Sequence, residues 1–242
     1  MTKGGWVSSR PFSFHRLNRR MIVAMAIIRI EDARDARLAD YAGVGEPRLL
    51  AERGLFIAEG RFVVRRLLTS GRLATRSLLV NDAALAYLDS DLQARGQDLN
   101  VFVTSPETMT AATGFQFHRG CLAVGVRPQA TTLDDAIAAA TMVVVLERVV
   151  DPDNVGAVFR CAEAFGADAV LVSPGCCDPY YRKAIRTSSG AALVVPFAQA
   201  DPWPDALQHL RAKGFHIVAT TPDSGATEIG AFVQRSDAHG KL

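Results

Sequence analysis

The sequence lacks the patterns that identify several large classes of protein. Its four cysteines form no C-x-x-C pair, and no group of histidines and cysteines has zinc-ligand spacing. Neither G-x-G-x-x-G nor G-x-x-x-x-G-K-[ST] follows a strand-like segment, which ranks an ordinary nucleotide-binding α/β enzyme last among the functions considered. The apolar run Met21–Ile28 ends at Arg29, far short of the roughly 20 residues that span a bilayer. We therefore expect a cytoplasmic protein with no membrane span and no metal.

Neither sign of charge is in large excess, because the net charge is only +2. Any electrostatic argument for nucleic-acid binding must therefore be local. Hydrophobic residues make up 49% of the chain and charged residues 21%, which is ordinary for a globular protein. The adjacent Cys176 and Cys177 leave redox activity open, but free thiols in a reducing compartment are the simpler expectation.

The alternation of apolar runs and amphipathic segments predicts an α/β protein with two units. Residues 1–30 are expected to be an extension or flexible arm, with Met25 as an alternative start and Ala26–Ile30 as a first strand or part of the arm. Residues 31–127 alternate short strands and helices, including a helix start at Ser105-Pro106-Glu107. Residues 128–242 open with a helix capped by Thr132 and continue in β-α-β order, which predicts a mostly parallel sheet.

The individual segments follow from the same patterns. In the first unit we predict a surface helix over residues 31–42 and helices over 62–68 and 83–95. The strands predicted there cover residues 55–58, 77–80, 101–103 and 122–126. In the second unit we predict buried strands at residues 142–146, 169–172, 193–195 and 215–219, with helices at 154–166 and 203–213.

The segment Leu146–Gly166 is the most informative for chemistry. A buried strand is predicted to end near Leu146, and Asn154 stands at the expected N-cap of the following helix. The helix N-terminus would suit a phosphate, and the carboxyl ends of parallel strands are where ligands bind. The spacing of Val155, Val158, Phe159, Ala162 and Phe165 predicts the buried face and leaves Arg160 outside it. From the residues alone, the interpretation of Asn154 as a simple cap and of Arg160 as a solvated surface arginine remains open.

Two motifs in this region resemble signatures of the SpoU/TrmH family of RNA ribose methyltransferases. Residues 154–166 are similar to the family's N-x-G-x-x-x-R pattern followed by A-x-x-x-G, and residues 183–191, KAIRTSSGA, are similar to its K-x-x-R-x-S-x-G-A stretch. Residues 56–60 and 115–126 resemble the family's L30e-like RNA-binding domain. The resemblance implies that the second unit is a trefoil-knot methyltransferase domain and that the first binds the RNA substrate.

The resemblance implies methyl transfer from S-adenosylmethionine to a ribose 2′-hydroxyl of tRNA or rRNA. Arg160 and Asn154 match the family's catalytic positions, and Thr220, Thr221 and Pro222 match a loop that closes on the methyl donor. An arginine suits electrostatic positioning more than proton abstraction, because its pKa exceeds 12. The residues expected to contact RNA are Glu59, Arg61, Arg65, Arg66, His118, Arg119, Lys183, Arg186 and Ser188. For Ser188, with Ser189 and Gly190, a plain turn at a helix end stays open.

Arginine is concentrated between residues 48 and 76, at Arg48, Arg53, Arg61, Arg65, Arg66, Arg72 and Arg76, with Glu52 and Glu59 as the only acids. Phosphate contacts by these side chains would make RNA binding steeply dependent on salt. The alternative interpretation is a solvated helix face.

The family resemblance also implies two further signatures, a G-x-E-G-x-G stretch and an S-L-N-x-x-x-A stretch, which complete the knot, the donor site and the interface of a homodimer. Neither occurs before Leu242. We therefore expect the donor site and the knot to be incomplete in this chain. An inactive RNA-binding remnant of such an enzyme is the alternative function.

Overall fold

The structure is a computed structural model that describes residues 26–42, 44, 47–95, 99–116, 120–234 and 240–242. The predicted RNA contacts His118 and Arg119, and the predicted extension before residue 26, lie outside the described residues. The strands are β1 Ala26–Arg29, β2 Leu55–Glu59, β3 Thr75–Val80, β4 Asn100–Val103, β5 Cys121–Val126, β6 Val143–Leu146, β7 Ala169–Val172 and β8 Phe197–Gln199. The helices are α1 Ala39–Ala42, α2 Pro47–Glu52, α3 Arg61–Thr69, α4 Asp82–Arg95, α5 Pro106–Thr113, α6 Leu133–Ile137, α7 Pro152–Phe165, α8 Arg182–Thr187, α9 Asp205–Ala212 and α10 Ile229–Val233.

The first five strands form one mixed sheet in the order β1-β4-β3-β5-β2. Strands β1, β4 and β3 are parallel, whereas β5 runs antiparallel to both β3 and β2. Helices α3 and α4 cover one face of the sheet, where Leu67 and Leu88 pack on Leu78. Helices α1, α2 and α5 cover the other, around Tyr41 and Met109. These elements are called the N-terminal unit below.

The remaining strands form a parallel sheet in the order β6-β7-β8. Helix α7 covers one face, with Val155 and Phe159 against Val170 and Val172. Helices α6 and α9 cover the other face, where Leu210 packs near Leu171. These elements, with α8 and α10, are called the C-terminal unit. The predicted β-α-β order and parallel sheet are confirmed.

Most predicted elements are confirmed, including the caps at Ser105 and Thr132. Of the two interpretations left open for residues 26–30, the strand is the one formed, at Ala26–Arg29, where it pairs with β4 and belongs to the first sheet rather than to an arm. The side chain of Ser105 accepts the N–H of Thr108, and that of Thr132 accepts the N–H of Asp135. The predicted helix over residues 31–42 is mostly wrong, since it is a 3₁₀ turn at Ala36–Leu38 followed by the short α1. Helix α2 was not predicted, because its glycine- and proline-rich approach suggested a loop.

Two predicted strands of the C-terminal unit are wrong. Residues Ala191–Leu193 form a buried 3₁₀ turn after Gly190, whose φ of 82° turns the chain, and the strand follows at Phe197–Gln199. At residues 215–219, Phe215 makes a single bridge to Lys241 and the rest has no regular structure. A short apolar run does not by itself distinguish a strand from a buried turn. Strand β6 was also expected to be buried on both faces, whereas Val143–Val145 are only half-buried.

The two units share part of one hydrophobic core. Ile185 of α8 and Leu193 of the following turn lie in the cluster that fills the α3–α4 side of the first sheet. Tyr180 stacks on Phe56 of β2, with ring centroids 5.1 Å apart. The C-terminal unit is therefore packed directly against the N-terminal sheet.

Candidate functional site

Helix α7 carries both predicted catalytic residues, and its start is built by Asp151 and Pro152. The Asp151 side chain accepts the N–H of Asp153 at 2.8 Å, and Pro152 occupies the first turn, where its missing N–H is not needed. The predicted N-cap at Asn154 is wrong, because Asn154 already lies inside the first turn. The helix ends at Gly166, whose φ of 74° is the left-handed conformation typical of a helix end.

The buried face of α7 is mostly as predicted. Val155, Phe159 and Ala162 are buried against β7, and Val158 is half-buried. Phe165, which was assigned to the same face, is 79% exposed. It is the last residue of the helix.

Gly156 is a point of close approach between α7 and α8. A Cβ atom placed on Gly156 would lie 2.0 Å from Thr187 Oγ1 and 2.8 Å from both the Ala184 carbonyl oxygen and the Ser188 nitrogen. No side chain fits in that space. The glycine of the N-x-G pattern therefore permits the end of α8 to lie directly on α7.

Arg160 is exposed, and it makes no hydrogen bond or ion pair with the part of the chain that the structure describes. At about 100° per residue it lies roughly 40° around the helix from Gly156. Its side chain therefore lies on the same side of α7 as the contact with α8. This position is outside the buried face, as predicted.

Asn154 is exposed too, but the structure does not bring it next to Arg160. Six residues separate the two, which is about 9 Å along the axis and roughly 120° around it. A reacting ribose that touches Arg160 would therefore need to extend around the helix to meet Asn154.

The N-terminus of α7 is less suited to a phosphate than expected. The N–H of Asp153 is already taken by Asp151, and both carboxylates stand in or beside the first turn. Lys183 pairs with Asp153 at 2.8 Å, an exposed contact that raises the lysine's pKa. The carboxylates of Asp151 and Asp153 repel an anion at this end of the helix. Lys183, which was predicted to contact RNA, forms an ion pair with Asp153 instead.

Ser188 is fully buried, which corrects the prediction that it contacts RNA. Its hydroxyl donates to the Ile185 carbonyl at 2.9 Å and accepts the N–H of Ala192 at 3.2 Å. The alternative interpretation, a residue that shapes the turn after α8, is the one the structure supports.

Several predicted RNA contacts lie at the junction of the two units. Glu59 accepts a hydrogen bond from Arg182 at 2.5 Å and lies 3.6 Å from Arg186. Arg66 pairs with Glu163 of α7 and donates to the Ser189 carbonyl. These residues connect the sheet edge and α3 to the segment with the second motif, and their role toward RNA stays a prediction.

Most arginines of the arginine-rich stretch are paired with carboxylates, one of them within the stretch and the others outside it. Arg53 and Arg76 both bind Asp40, Arg65 binds Asp91, and Arg48 binds Glu52. Arg72 donates to the Val194 carbonyl of the C-terminal unit. Arg61 has no carboxylate partner among the described residues and lies 5.6 Å from the Tyr87 ring centroid. The available positive charge is thus smaller than the sequence suggested and is concentrated on the outer face of α3.

Comparison with known proteins identifies the family. The SpoU rRNA Methylase family matches residues 141–238. An uncharacterized tRNA/rRNA methyltransferase of Mycobacterium tuberculosis is 38% identical over 202 residues, which cover 82% of this chain and 69% of that protein. This chain belongs to the SpoU family. Its resemblance to the SpoU/TrmH signatures is thereby confirmed.

Two further likenesses extend the comparison of this SpoU protein. A 23S rRNA (guanosine(2553)-2′-O)-methyltransferase of Bacillus subtilis is 25% identical over 197 residues, 81% of this chain and 75% of the relative. The crystal structure of an AdoMet-bound rRNA methyltransferase from Sinorhizobium meliloti has a TM-score of 0.63 and 21% identity, covering 77% of this chain and 69% of that one. The mixed α/β fold with a parallel sheet is therefore that of SpoU methyltransferases.

The predicted donor residues of this SpoU protein lie on an exposed segment. Thr220, Thr221 and Pro222 are all exposed and have no regular structure, and Thr221 Oγ1 accepts the N–H of Asp223 at 3.2 Å. In the described part of the chain nothing faces them to enclose an adenosyl group. These residues alone do not form a donor pocket.

A cavity of about 290 Å³ lies between the units, lined by Phe56, Ile57, Arg127, Asp178, Tyr180 and other residues. Arg127 binds Asp178 at 2.6 Å, and its guanidinium carbon lies 5.4 Å from the Tyr180 ring centroid. Sequence reasoning did not single out Asp178, Tyr180 or Arg182. Their role depends on contacts with β2, which no local pattern indicates.

The described residues also bear on the cysteines, on a membrane span and on metal binding. All four cysteines are free, as expected. No described helix is both long and apolar enough for a membrane span, and the described residues contain no cluster of three potential metal ligands.

Proposed function

We propose that this protein transfers a methyl group from S-adenosylmethionine to a ribose 2′-hydroxyl of tRNA or rRNA. Membership of the SpoU family and the 2′-O-methyltransferase among its relatives support the proposal. The observation that carries it is the exposed guanidinium of Arg160, which has no partner among the described residues, beside the close contact of α7 and α8 that the two motifs create. Arg160 lies one helical turn after Gly156, so its guanidinium stands near the contact between the two motifs.

Arg160 is proposed to stabilise negative charge on the ribose hydroxyl and on the adjacent phosphate. A hydroxyl becomes a good nucleophile only as its proton leaves, and a guanidinium can bind the developing alkoxide and a phosphate oxygen together. Proton abstraction by Arg160 is disfavoured, because a guanidinium group keeps its proton in proteins and has no lone pair to accept another. Asn154 is proposed to hold the RNA backbone further along α7.

S-adenosylmethionine is proposed as the donor, in line with the AdoMet-bound structure of similar fold. Because Thr220, Thr221 and Pro222 are exposed, the described residues do not fit the donor as a closed pocket. No step of the reaction is therefore assigned to them. Their exposure favours a second candidate function, RNA binding by this chain without methyl transfer.

The finer architecture is proposed on the same basis. We assign residues 31–127 to an L30e-like substrate-binding domain, supported by a mixed sheet with helices on both faces. We assign residues 128–242 to a trefoil-knot type methyltransferase domain, supported by the parallel sheet and the family match. A homodimer and a cytoplasmic location are proposed with them, and the free thiols agree with a reducing compartment.

The test is transfer of a tritiated methyl group from S-adenosylmethionine to ribosomal RNA and to bulk tRNA, followed by alkaline hydrolysis. Alkali cleaves RNA through the 2′-hydroxyl, so ribose methylation leaves the label in alkali-resistant dinucleotides, whereas base methylation leaves it in mononucleotides. Calorimetric titration with S-adenosylmethionine alone separates donor binding from catalysis.

Arg160→Ala is expected to lower the transfer rate by roughly 100-fold or more while donor binding stays unchanged, as for loss of a group that stabilises developing charge. Arg160→Lys should restore little of the activity, since an ammonium group lacks the planar fork. Arg211→Ala, an exposed arginine on α9, is the matched control and should remain fully active. Loss of donor affinity in Arg160→Ala would contradict the proposed role, and RNA binding without any donor binding would support the second candidate function.

A further inference from the structure

The outward face of α3 carries an exposed ring among guanidinium groups. Phe62 is 52% exposed, and the guanidinium carbon of Arg66 lies 5.9 Å from its ring centroid. On the α4 side, the guanidinium carbons of Arg61 and Arg65 lie 5.6 Å and 5.9 Å from the ring centroid of Tyr87. We propose that this α3 strip binds the single-stranded RNA that flanks the target nucleotide. The strip consists of Arg61, Phe62, Arg65, Arg66 and Tyr87, and the inference rests on the proposed function.

The α3 strip contacts helix α7 within one turn of the candidate catalytic residue Arg160. Arg66 pairs with Glu163 on α7 and also donates to the carbonyl of Ser189. Glu163 is three residues after Arg160, so the two side chains are neighbours on one side of α7. A strand bound across α3 would therefore be led toward Arg160 rather than away from it.

The charge of the α3 strip fits a polyanion. Asp91 and Glu163 pair with Arg65 and Arg66, respectively. Arg61 has no carboxylate partner in the described part of the chain, and neither does Arg160 at the end of the strip. The three guanidinium groups of the strip, together with that of Arg160 on α7, thus outnumber the two carboxylates that pair with them, which leaves net positive charge for phosphates.

The aromatic rings distinguish RNA from other anionic partners. Single-stranded RNA is recognised by stacking of unpaired bases on aromatic rings and on guanidinium planes, next to phosphate contacts. Phe62 provides the exposed ring. Tyr87, 40% exposed, holds the guanidinium groups of Arg61 and Arg65 and so acts as a positioning residue.

The test is fluorescence anisotropy of a labelled, unstructured 12-nucleotide single-stranded RNA with the full chain, at several salt concentrations. Phe62→Ala should weaken binding at least about fivefold, the low end of the loss for one stacked base. It should not change the slope of affinity against salt, because no charge is removed. Phe62→Tyr should restore binding. Arg61→Ala should instead make the slope shallower by about 0.7.

Phe165→Ala is the matched control, because Phe165 is 79% exposed but lies outside the α3 strip. It should bind the RNA like the wild type. Equal affinities for Phe62→Ala and the wild type would overturn the proposal. A loss of RNA affinity in Phe62→Ala that Phe62→Tyr does not restore would also overturn it. A change in sedimentation without a change in RNA affinity would do the same, and would make the strip a contact between copies of the chain.

Methyl transfer is measured in parallel, so that the two proposals fail separately. If the wild type transfers methyl groups and Phe62→Ala has the same KM for RNA as the wild type, the proposed function is supported and RNA binding by the α3 strip is contradicted. If Phe62→Ala selectively loses oligonucleotide binding and the wild type transfers no methyl group, RNA binding by the α3 strip is supported and the proposed methyl transfer is contradicted.

Discussion

Replacing Gly156 by alanine tests the contact on which the geometry of the two motifs depends. The added Cβ would lie 2.0 Å from Thr187 Oγ1 and 2.8 Å from two backbone atoms, the Ala184 oxygen and the Ser188 nitrogen. Backbone atoms cannot rotate away, so α7 and α8 must separate. Overpacking of this kind costs up to about 3 kcal/mol. Alanine regains about 1 kcal/mol in a helix, which leaves a net loss of about 2 kcal/mol.

The measurement is urea denaturation followed by circular dichroism, with thermal melting beside it. A loss of about 2 kcal/mol should lower Tm by about 4–8 °C in a chain of this size. Gly230→Ala in α10 is the control, because no atom lies within 4 Å of its added Cβ, and its stability should be unchanged or slightly higher. Melting of Gly156→Ala within 1 °C of the wild type would refute the close approach of α7 and α8.

A double-mutant cycle makes this prediction more specific. Thr187→Ala removes the nearest clashing atom, so the two substitutions together should destabilise by less than the sum of their separate effects. The two backbone contacts at 2.8 Å remain, so Gly156→Ala should still destabilise in the Thr187→Ala background. Full additivity would show that Thr187 is not the neighbour of residue 156.

Two further predictions concern titrating groups. In timed iodoacetamide labelling at pH 8, exposed Cys161 should react first and buried Cys121 last, because burial raises the pKa of the Cys121 thiol to about 12; the order is checked by peptide mass spectrometry. Asp168 accepts the N–H groups of Met142 and Thr141, which lowers its pKa below 3.8. Its stabilising effect is therefore present above pH 3.8 and lost as the pH falls through the folded-state pKa. The difference in urea midpoint between wild type and Asp168→Ala should accordingly shrink from pH 6 to pH 3, and a constant difference would contradict the assignment.

Elements with strong local signals could be predicted from the sequence. Ser105 followed by Pro106 indicated the start of α5, and Thr132 indicated the start of α6. The apolar run at Ala169–Val172 gave β7 its predicted bounds. Errors arose where two structures share one local pattern. Leu193 belongs to a short apolar run that is typical of a strand. The structure instead buries Leu193 between the units as part of a 3₁₀ turn.

The candidate site was predictable only in part, for a related reason. The helical spacing of α7 correctly left Arg160 outside the buried face. The environment of Glu59 depends on Arg182, which is 123 positions away, and no periodicity contains that contact. Ser188 belongs to a matched motif, but only the packing around it shows that its hydroxyl bonds within its own turn. Roles that depend on distant partners therefore needed the structure.

Helix α8 links the two halves of the proposed reaction. On one side its end lies on α7 at Gly156, one helical turn before Arg160. On the other side Ile185 is part of the core of the N-terminal unit, and Arg182 binds Glu59 at the end of β2. RNA held on the N-terminal unit would thus be fixed relative to Arg160 through packed contacts, without a flexible connection. Positioning of this kind lets binding energy on flanking nucleotides orient the reacting hydroxyl beside Arg160.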